Sequence, residues 1–471
     1  MSTFFIEQFG CRATQADGAA IERQLREQGC SPAPAASVAD VVVLNTCTVT
    51  AAADAQARDA IRKIHAANPA TRILVTGCYA QRAPEEIAAL PGVSFVVGNS
   101  HKSQIPKLVP SILAVSHIQL VGAELAPPPR STEHEFPSHP APILTGSILE
   151  LTDVLVAPVL GGEGNHTRPT LKIQDGCNSR CSFCVIPFVR GKSRSLPPQT
   201  VLSEIQRLSD SGFREIVLSG INLGTYGRDL APRVEFLELL RRILDETPVQ
   251  RLRISSIEPL DVTQDLIDFF ASNSRIAPHF HMPLQSASDR ILAAMHRWYR
   301  AEHYARRVEL IHDRLPNAAI GADVITGFPG ESEADHAATI EFIAARPFTY
   351  LHVFSYSQRP GTKATSLPGQ LPSHIIKNRA RELRSLADSK SSFFRSAQIG
   401  RTLRVLTLRR DPAGDPRSTP ALSENYLQVR LPVTLPPNQF VEAAVTRLED
   451  NHLVAAAPAE SPTFPVTGAC S

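Results

Sequence analysis

Two runs of alternating strand-like and helix-like segments constrain the fold of this 471-residue chain more than any other feature. In the first run, from Phe4 to about Val97, the apolar stretches FFIEQFGC, DVVVLNTC and RILVTGC are followed by helix-like stretches such as ADGAAIERQLREQGC. Alternation of this kind favours a parallel sheet that is covered by helices on both faces. The N-terminal part is therefore predicted to be a doubly wound α/β domain.

The second run extends from Thr170 to about Ser357 and contains six strand-like segments in a row. These segments are TLKIQDG, EIVLSG, LRISSIEP, HFHMPLQ, IGADVITGFPG and YLHVFSYS, separated by helical stretches such as EFLELLRRILDE. Six successive βα units, rather than eight, predict an open (βα)6 partial barrel. In β/α barrels the functional residues lie at the carboxyl ends of the strands.

The remaining segments follow other patterns. APPPRSTEHEFPSHPAP is rich in Pro, Ser and charge and predicts a linker, although the nearby ILTGSILELTDVLVAPVL is apolar enough to form a strand. Near the C terminus, TLRVLTLRR, NYLQVRLPV and QFVEAAVTRLE alternate with turn residues, which predicts a small β-barrel. The predicted organisation is an α/β domain (1–115), a linker or excursion (116–168), the partial barrel (169–392), the β domain (393–457) and a tail (458–471).

Composition excludes several classes of protein. A hydrophobic content of 43% is typical of globular chains, and no uncharged apolar stretch approaches the roughly 18–20 residues of a membrane span. The N-terminal stretch MSTFFIEQFGC lacks the basic and apolar regions of a signal peptide. A formal charge of +2 means that any nucleic-acid surface is local. We therefore predict a cytoplasmic protein without membrane contact, whose cysteines serve metal or redox chemistry rather than disulfides.

Three cysteines end three predicted strands of the N-terminal sheet. Cys11, Cys47 and Cys78 each follow a short apolar run, and the carboxyl ends of parallel strands meet at one edge of a sheet. We therefore expect these three thiols, which we call the first triad, to converge. Cys30 follows a helix and a glycine, and Cys470 lies in the small-residue tail, so neither is a predicted ligand.

Three more cysteines lie in QDGCNSRCSFCVIPF, on the loop after the first barrel strand. This second triad, Cys177, Cys181 and Cys184, has the soft thiolate ligands that suit iron–sulfur clusters, zinc or copper(I). A structural zinc site would need a fourth nearby Cys or His, and the preceding histidine, His166, is followed by an Arg-Pro break. In a four-iron cluster, three protein ligands leave one iron open to substrate. An open cluster is the favoured interpretation, and zinc remains the alternative.

The Cys-x-x-x-Cys-x-aromatic-Cys spacing, with Phe183 at the aromatic position, resembles the signature of the radical S-adenosylmethionine superfamily. The stretches FGCRATQADG, VLNTCTVT, VTGCYAQ, HMPLQSASDRILAAM and DVITGFPGES extend the resemblance to the methylthiotransferases over nearly the whole chain. The resemblance implies two 4Fe-4S clusters, one on each triad, and S-adenosylmethionine, which is cleaved to a 5′-deoxyadenosyl radical. It also implies that the C-terminal part is similar to an RNA-binding TRAM domain.

Other site residues are expected from position and resemblance together. The residues expected to contact S-adenosylmethionine are Phe183, Gly220, Asn222, Glu258 and Gln285. Gly220 could instead simply end a strand, and Glu258 and Gln285 could be polar because a barrel mouth is wet. Basic residues near the second triad and within the basic stretch Ile376–Arg410 are expected to contact RNA, the alternative being a solvated helix face. They are Arg190, Lys192, Arg194, Arg401, Arg404, Arg409 and Arg410.

The substrate implied by the resemblance is an adenosine beside the tRNA anticodon. LSENYLQVRL (Leu422–Leu431) and GCRATQADG are similar to the subgroup that acts on N6-threonylcarbamoyladenosine, which would become its 2-methylthio derivative. The alternatives are isopentenyladenosine in tRNA, an aspartate of a ribosomal protein, or a non-enzymatic zinc-binding RNA adaptor. An electron donor such as flavodoxin or ferredoxin is expected, and the sequence does not identify the sulfur source.

Overall fold

The computed structural model describes residues 2–114, 140–151, 154–155, 158–159, 167–411 and 414–456. The predicted tail (458–471, with Cys470), His166 and most of the predicted linker lie outside the described residues. Within the described ranges, no helix combines the length and the apolar character that crossing a lipid bilayer requires.

The N-terminal part is built on a six-stranded parallel sheet. Its strands are β1 (Thr3–Gln8), β2 (Ser31–Pro32), β3 (Val41–Thr46), β4 (Arg72–Gly77), β5 (Val93–Gly98) and β6 (Ile143–Leu144), in the order β2-β1-β3-β4-β5-β6. The helices are α1 (Arg12–Glu27), α2 (Ala51–Ala67), α3 (Cys78–Arg82), α4 (Pro84–Ala88) and α5 (Ile105–Ala114).

Helices cover both faces of this sheet. The evidence is that alternate residues of β3 belong to different buried clusters. Val42 packs in the cluster that contains Ile61 of α2, whereas Val43 packs in the cluster that contains Ile21 of α1. The period of two along a strand places such neighbours on opposite faces. The predicted doubly wound α/β architecture is confirmed.

The second part is the predicted partial barrel. Its strands are β7 (Pro158–Val159), β8 (Thr170–Lys172), β9 (Gln174–Asp175), β10 (Arg194–Ser195), β11 (Glu215–Ser219), β12 (Arg251–Ile254), β13 (His279–His281), β14 (Ala319–Thr326) and β15 (Tyr350–Ser355). The helices are α6 (Ile186–Arg190), α7 (Pro198–Asp210), α8 (Phe236–Glu246), α9 (Gln264–Ser272), α10 (Asp289–Ala294), α11 (Ala301–Arg314), α12 (Glu333–Ala344) and α13 (Ser373–Ser396).

The six predicted barrel strands are confirmed as β8, β11, β12, β13, β14 and β15, and they are parallel. They form two sheets, β12-β11-β8-β7 and β13-β14-β15, which isolated bridges join at Leu252–Ile276 and Ser256–His281. The short β7 pairs antiparallel with β8. The apolar stretch inside the predicted linker thus adds β6 to one sheet and β7 to the other.

The C-terminal part is a closed five-stranded barrel, as predicted. Its strands are β16 (Thr402–Thr407), β17 (Thr419–Ser423), β18 (Gln428–Leu431), β19 (Phe440–Glu449) and β20 (His452–Ala455), in the order β16-β17-β18-β20-β19. The first residues of β12 hold this barrel against the partial barrel. Arg251 donates to the carbonyl oxygen of Arg404 (3.1 Å), and Arg253 donates to that of Ser423 (3.1 Å).

Candidate active site

Two glycines allow the loops of the two triads to close. Gly10, before Cys11, has φ +98°, and a Cβ atom there would lie 2.7 Å from Sγ of Cys47. Gly176, before Cys177, has φ +71°, and its Cβ would lie 2.0 Å from the carbonyl oxygen of Lys192. Only glycine combines these φ angles with so close an approach. Each loop therefore turns sharply at the point where it presents its first cysteine.

The first triad lies at the carboxyl edge of the N-terminal sheet, where its three loops come together as expected. Cys11 precedes α1, Cys78 begins α3, and Cys47 follows β3. Burial raises the pKa of Cys47 to about 11, and the nearby Cys78 and Cys11 thiols add to this. A buried thiol of this kind becomes a thiolate when a cation binds it.

The second triad lies on the loop between β9 and α6, at the mouth of the partial barrel. The backbone N–H of Cys184 donates to the carbonyl oxygen of Cys181 (3.1 Å), and that of Ser179 donates to Sγ of Cys177 (3.4 Å). Burial raises the pKa of Cys184 to about 12. All six cysteines are free of disulfide bonds.

The two triads lie next to each other in space. Cys78 packs in one buried cluster with Val185 and Val189, which directly follow the second triad. Asn99 spans the same junction, because its side-chain amide donates to the carbonyl oxygen of Val189 (2.7 Å) and contacts Sγ of Cys78 (3.5 Å). A group bound at one triad thus lies close to a group bound at the other.

A buried ion network holds this junction together, and sequence reasoning missed it. Asp17 of α1 accepts from Lys102 (2.9 Å), from Arg190 (3.1 Å) and from Lys172 of the barrel. Asp175 accepts from Lys172 (2.8 Å) and Arg190 (2.9 Å). Three cations and two carboxylates leave one positive charge in excess, beside thiols that a metal would convert to thiolates.

Arg190 and Arg194 correct the sequence prediction. Arg190 is only 2% exposed and Arg194 6%, and Arg194 donates to the carbonyl oxygens of Arg190 and Lys192. Both side chains are buried at the junction, so neither is accessible to RNA phosphates. Lys192 itself is exposed.

The C-terminal basic residues are divided between structural and exposed positions. Arg404 is half-buried and stacks on the ring of Phe440 (4.2 Å). The remaining three, Arg401, Arg409 and Arg410, are exposed. Within the basic stretch, Arg379 is buried and pairs with Glu331 (2.6 Å), so part of this stretch serves the fold rather than a nucleic-acid surface.

The residues predicted to contact S-adenosylmethionine lie around the barrel mouth in different environments. Asn222 is buried, and its Oδ1 atom has no hydrogen-bond partner among the described residues. Gln285 has φ +62°, a strained backbone for a non-glycine residue, and its backbone pairs with β14. A Cβ on Gly220 would lie 2.8 Å from Leu223. Phe183 packs against the apolar cluster around Phe328.

Glu258 is held by Arg297, a residue that sequence reasoning missed. Arg297 donates to Oε1 of Glu258 (3.2 Å) and also to its other carboxylate oxygen, and it donates to Sγ of Cys181 (3.4 Å). Burial raises the pKa of Cys181, and the neighbouring guanidinium opposes that rise. Arg297 therefore connects the second triad to the one acidic residue predicted to contact the cofactor.

The inner face of the partial barrel is polar, which is unusual for a β/α barrel because such interiors are normally packed with branched apolar residues. Alternate residues of each strand, such as Ile320 and Val324, pack outward against the helices. The residues between them form what we call the lumen face. Its charged residues, histidines and tyrosine are Lys172, Glu215, Arg251, Arg253, His279, His281, Asp323, Tyr350 and His352.

Five of these residues form a continuous hydrogen-bonded chain along the lumen. The Tyr350 hydroxyl is hydrogen-bonded to Nε2 of His279 (2.7 Å) and to Nδ1 of His281 (3.0 Å). Oδ1 of Asp323 is hydrogen-bonded to His281 (3.0 Å) and to His352 (3.1 Å). Burial alone would raise the pKa of Asp323, but hydrogen bonds from His281 and His352 lower it. A carboxylate only accepts, so both histidines direct an N–H at it.

Comparison with known proteins identifies the family. Residues 3–98 match the uncharacterized protein family UPF0004, and residues 171–343 match the radical SAM superfamily. The chain is 36% identical to threonylcarbamoyladenosine tRNA methylthiotransferase MtaB of Aquifex aeolicus, over 90% of this chain and 95% of that one. It is 33% identical to a tRNA-2-methylthio-N(6)-dimethylallyladenosine synthase of Paenarthrobacter aurescens, over 96% and 85%. This chain belongs to the radical SAM methylthiotransferase family.

A solved structure supports the fold of this methylthiotransferase. The radical S-adenosylmethionine methyltransferase TsrM of Kitasatospora setae, bound to cobalamin and a 4Fe-4S cluster, superposes with a TM-score of 0.54 at 16% identity and 77% coverage of each chain. The cofactors predicted from the sequence are those of the family: S-adenosylmethionine and two 4Fe-4S clusters. Because the family consists of enzymes, the alternative of a non-enzymatic zinc adaptor is wrong.

The residues at the junction fit such clusters. Each triad offers three free thiols, and both receive hydrogen bonds at sulfur, from Ser179 and Arg297 on one side and from Asn99 on the other. Hydrogen bonds to sulfur and nearby positive charge stabilise the negative charge of a thiolate-ligated cluster. The orphaned Oδ1 of Asn222 offers an acceptor to a bound cofactor.

Proposed function

We propose that this methylthiotransferase acts on tRNA, adding sulfur and a methyl group at C2 of N6-threonylcarbamoyladenosine beside the anticodon. The observation that carries the proposal is the junction of the two cysteine triads at the mouth of a polar barrel. Sulfur insertion at an unactivated aromatic carbon needs a C–H bond to be broken and a sulfur atom delivered at the same carbon. Adjacent triads allow both events at one place.

The six cysteines are the proposed cluster ligands. The first triad would hold the auxiliary cluster and the second triad the cluster that binds S-adenosylmethionine, each with one iron left open. When bound, these groups supply the 5′-deoxyadenosyl radical, the sulfur and the methyl group. The chain's own residues hold the two loops together through Asp17 and Arg190, and Arg297 fixes the Glu258 carboxylate beside Cys181.

The residues proposed to contact S-adenosylmethionine are Gly220, Asn222, Glu258 and Gln285. They lie at the carboxyl ends of β11, β12 and β13, the functional face of a β/α barrel. Phe183 is proposed to act indirectly, because its ring is anchored against the cluster around Phe328 and so fixes the loop between Cys181 and Cys184.

The polar lumen supports a threonylcarbamoyl substituent over an isopentenyl one. The threonylcarbamoyl group carries a carboxylate, a hydroxyl and a urea, whereas an isopentenyl group is wholly apolar. Buried polar groups without partners are costly, so a lumen lined by His281, Asp323 and Tyr350 suits the polar substituent. Relatives at 36%, 35% and 31% identity carry the threonylcarbamoyladenosine name, and relatives at 33% carry the dimethylallyladenosine name.

Exposed basic residues are proposed to hold the RNA backbone. Lys192, Arg401, Arg409 and Arg410 would contact phosphates and supply salt-dependent affinity without selecting the base. An anticodon-loop base is single-stranded and can be placed in a pocket. We further propose a cytoplasmic location and a flavodoxin or ferredoxin as electron donor. We also propose domain boundaries at residues 115, 168, 392 and 457.

Nucleoside mass spectrometry of tRNA from a strain that lacks this gene tests the substrate. We expect the 2-methylthio-threonylcarbamoyl nucleoside to disappear, its unthiolated precursor to accumulate, and a plasmid copy of the gene to restore the modification. A plasmid copy with Cys177→Ala should not restore it. Persistence of this nucleoside, with loss of the 2-methylthio-isopentenyl nucleoside or of the ribosomal-protein modification instead, would assign the enzyme to another branch of the family.

A further inference from the structure

Arg12 has no acidic partner among the described residues and little hydrogen bonding of any kind. The buried arginines Arg190, Arg251, Arg253 and Arg297 each pair with a carboxylate. Arg12 is half-buried, and in the described part of the chain its one hydrogen bond goes to the hydroxyl of Tyr426 (3.3 Å). A guanidinium has five N–H donors in a rigid fork, so most of its donor capacity is unused.

Tyr426 places Arg12 at the inner end of the lumen. This tyrosine extends from the C-terminal barrel, and its ring lies 4.5 Å from that of His279 and 6.0 Å from that of Tyr350. Arg253 stacks on the same ring (5.3 Å). Tyr426 therefore lies at the amino end of the barrel strands, and its hydroxyl holds Arg12 beside the lumen.

Solvent exposure increases along the lumen away from this end. His279 is 3% exposed and His281 6%, whereas the side chain of His352 is 56% exposed. The lumen is therefore most exposed at His352 and most buried around His279, whereas Tyr426 and Arg12 are half-buried. A group that enters from the mouth passes His352 and Asp323 before it reaches His279 and the Tyr426 ring, whose hydroxyl Arg12 contacts.

We propose that Arg12 binds the carboxylate of the N6 amino-acid substituent of the substrate, and that Tyr426 positions its guanidinium. This inference rests on the proposed function. In adenine, C2 and N6 lie at opposite ends of one edge, so a base whose C2 reaches the cluster face directs its N6 substituent elsewhere. Planar guanidinium groups bind carboxylates in a two-pronged, charge-assisted manner, which an uncharged isopentenyl group cannot exploit.

The contact between Arg12 and Tyr426 also joins the two stretches whose resemblance indicates the threonylcarbamoyladenosine subgroup. Arg12 lies in GCRATQADG and Tyr426 in LSENYLQVRL, 414 residues apart. A specificity pocket formed jointly by the first-triad loop and the C-terminal barrel explains why both stretches would carry the subgroup's pattern.

The test uses the holoenzyme and two synthetic anticodon stem-loops of identical sequence. One carries N6-threonylcarbamoyladenosine, and in the other the threonine carboxylate is replaced by a primary amide. Anaerobic fluorescence anisotropy gives the two dissociation constants, and product analysis gives the two values of kcat/KM. We expect the wild-type enzyme to prefer the carboxylate roughly 10- to 100-fold, and Arg12→Gln to reduce that preference to within about twofold.

Three further variants separate positioning from folding. Arg12→Lys keeps the charge and should restore part of the preference. Tyr426→Phe keeps the ring but loses the hydroxyl, so its preference should fall between wild type and Arg12→Gln. Arg26→Gln, on the exposed far end of the same helix, should match wild type. Because anisotropy needs no turnover, an Arg12 variant with reduced iron content still reports the preference.

The outcomes distinguish the inference from the proposed function. If the wild-type enzyme forms no methylthio product from the threonylcarbamoyl stem-loop, the proposed function is overturned and the inference with it. If product forms but wild type does not distinguish carboxylate from amide, or Arg12→Gln keeps the full preference, only the inference is overturned.

Discussion

Substituting Asp17 by asparagine should weaken the attachment of the N-terminal domain to the partial barrel and lower the free energy of unfolding. Asp17 belongs to α1, yet two of its three cationic partners, Lys172 and Arg190, belong to the barrel. The third partner, Lys102, lies beyond β5 of its own sheet. The carboxylate is 3% exposed, so almost no solvent screens these interactions.

The size of the effect follows from the burial of the charges. At about 3 Å and an effective dielectric constant of about 20, each pair attracts by roughly 5 kcal/mol, and desolvation offsets much of this. Removing Asp17 leaves charge uncompensated, because Asp175 would then pair with Lys172 and Arg190 while Lys102 would have no carboxylate partner. We therefore expect Asp17→Asn to lower the free energy of unfolding by about 3–5 kcal/mol.

The assay is guanidinium-induced unfolding of the anaerobic holoenzyme, with Asp59→Asn as the matched control. Asp59 pairs with Arg62 at 3.0 Å, but both side chains are about 60% exposed, so this control should cost between about 0 and 1 kcal/mol. The two substitutions remove the same charge at the same distance and differ in burial. If Asp17→Asn costs no more than Asp59→Asn, the buried network does not hold the junction.

The pH dependence gives a second check on the same residue. Burial alone would raise the pKa of Asp17, but Lys102, Lys172 and Arg190 together hold it far below its ordinary value. A carboxyl with a depressed pKa contributes its full stability above its unfolded-state pKa of about 4 and loses it as the pH falls through the folded-state pKa. The difference between wild type and Asp17→Asn should therefore stay constant from pH 8 to pH 5 and shrink only in stronger acid.

Three further predictions concern the triads. Cys47→Ala should lose about half of the roughly eight iron atoms and all methylthio product while still forming 5′-deoxyadenosine; loss of that cleavage with the other cluster intact would contradict two separate clusters. Arg297→Gln removes a donor to Cys181 and should slow 5′-deoxyadenosine formation at least about tenfold, measured by chromatography, whereas an unchanged rate would make this contact purely structural. Gly176→Ala should lower the unfolding free energy by about 1–3 kcal/mol and the iron content by half, and normal iron content would show that the loop can shift.

Much of the architecture could be predicted because local pattern and global fold agree. The strands DVVVLNTC and RILVTGC are apolar on both sides, as strands buried between helices must be, and they became β3 and β4. The positions of Cys11, Cys47 and Cys78 followed from one topological rule, that parallel strands present their carboxyl ends at the same edge. The two strands within the predicted linker were harder to place, because β6 and β7 have only two residues each.

The burial of Arg190 could not be predicted from the sequence. Its neighbours in the chain are a cysteine loop and other basic residues, which favours an exposed, RNA-facing surface. Its partner Asp17 lies 173 residues earlier, on helix α1 of the N-terminal domain, and neither residue carries a local signal of that pairing. Arg297 was missed for the same reason, since its partners Glu258 and Cys181 are 39 and 116 residues away.

The polar lumen face, by contrast, is visible in the sequence pattern. HFHM alternates polar and apolar residues with the period of a strand, and GADV and YLHV do the same, so the polar positions of three consecutive strands fall on one face. An apolar interior is what packing in a β/α barrel normally requires, so a polar inner face must be compensated by hydrogen bonds or by a ligand. The side chains from His279 to His352 bond to one another, although Nδ1 of His279 has no partner among the described residues. Arg12 is the charged group at the lumen for which the described residues offer no acidic partner. The positive charge of Arg12 therefore favours an anion as the group that binds in this barrel. Of the threonylcarbamoyl and isopentenyl nucleosides, only the first carries an anion on its base and can bring one into the lumen.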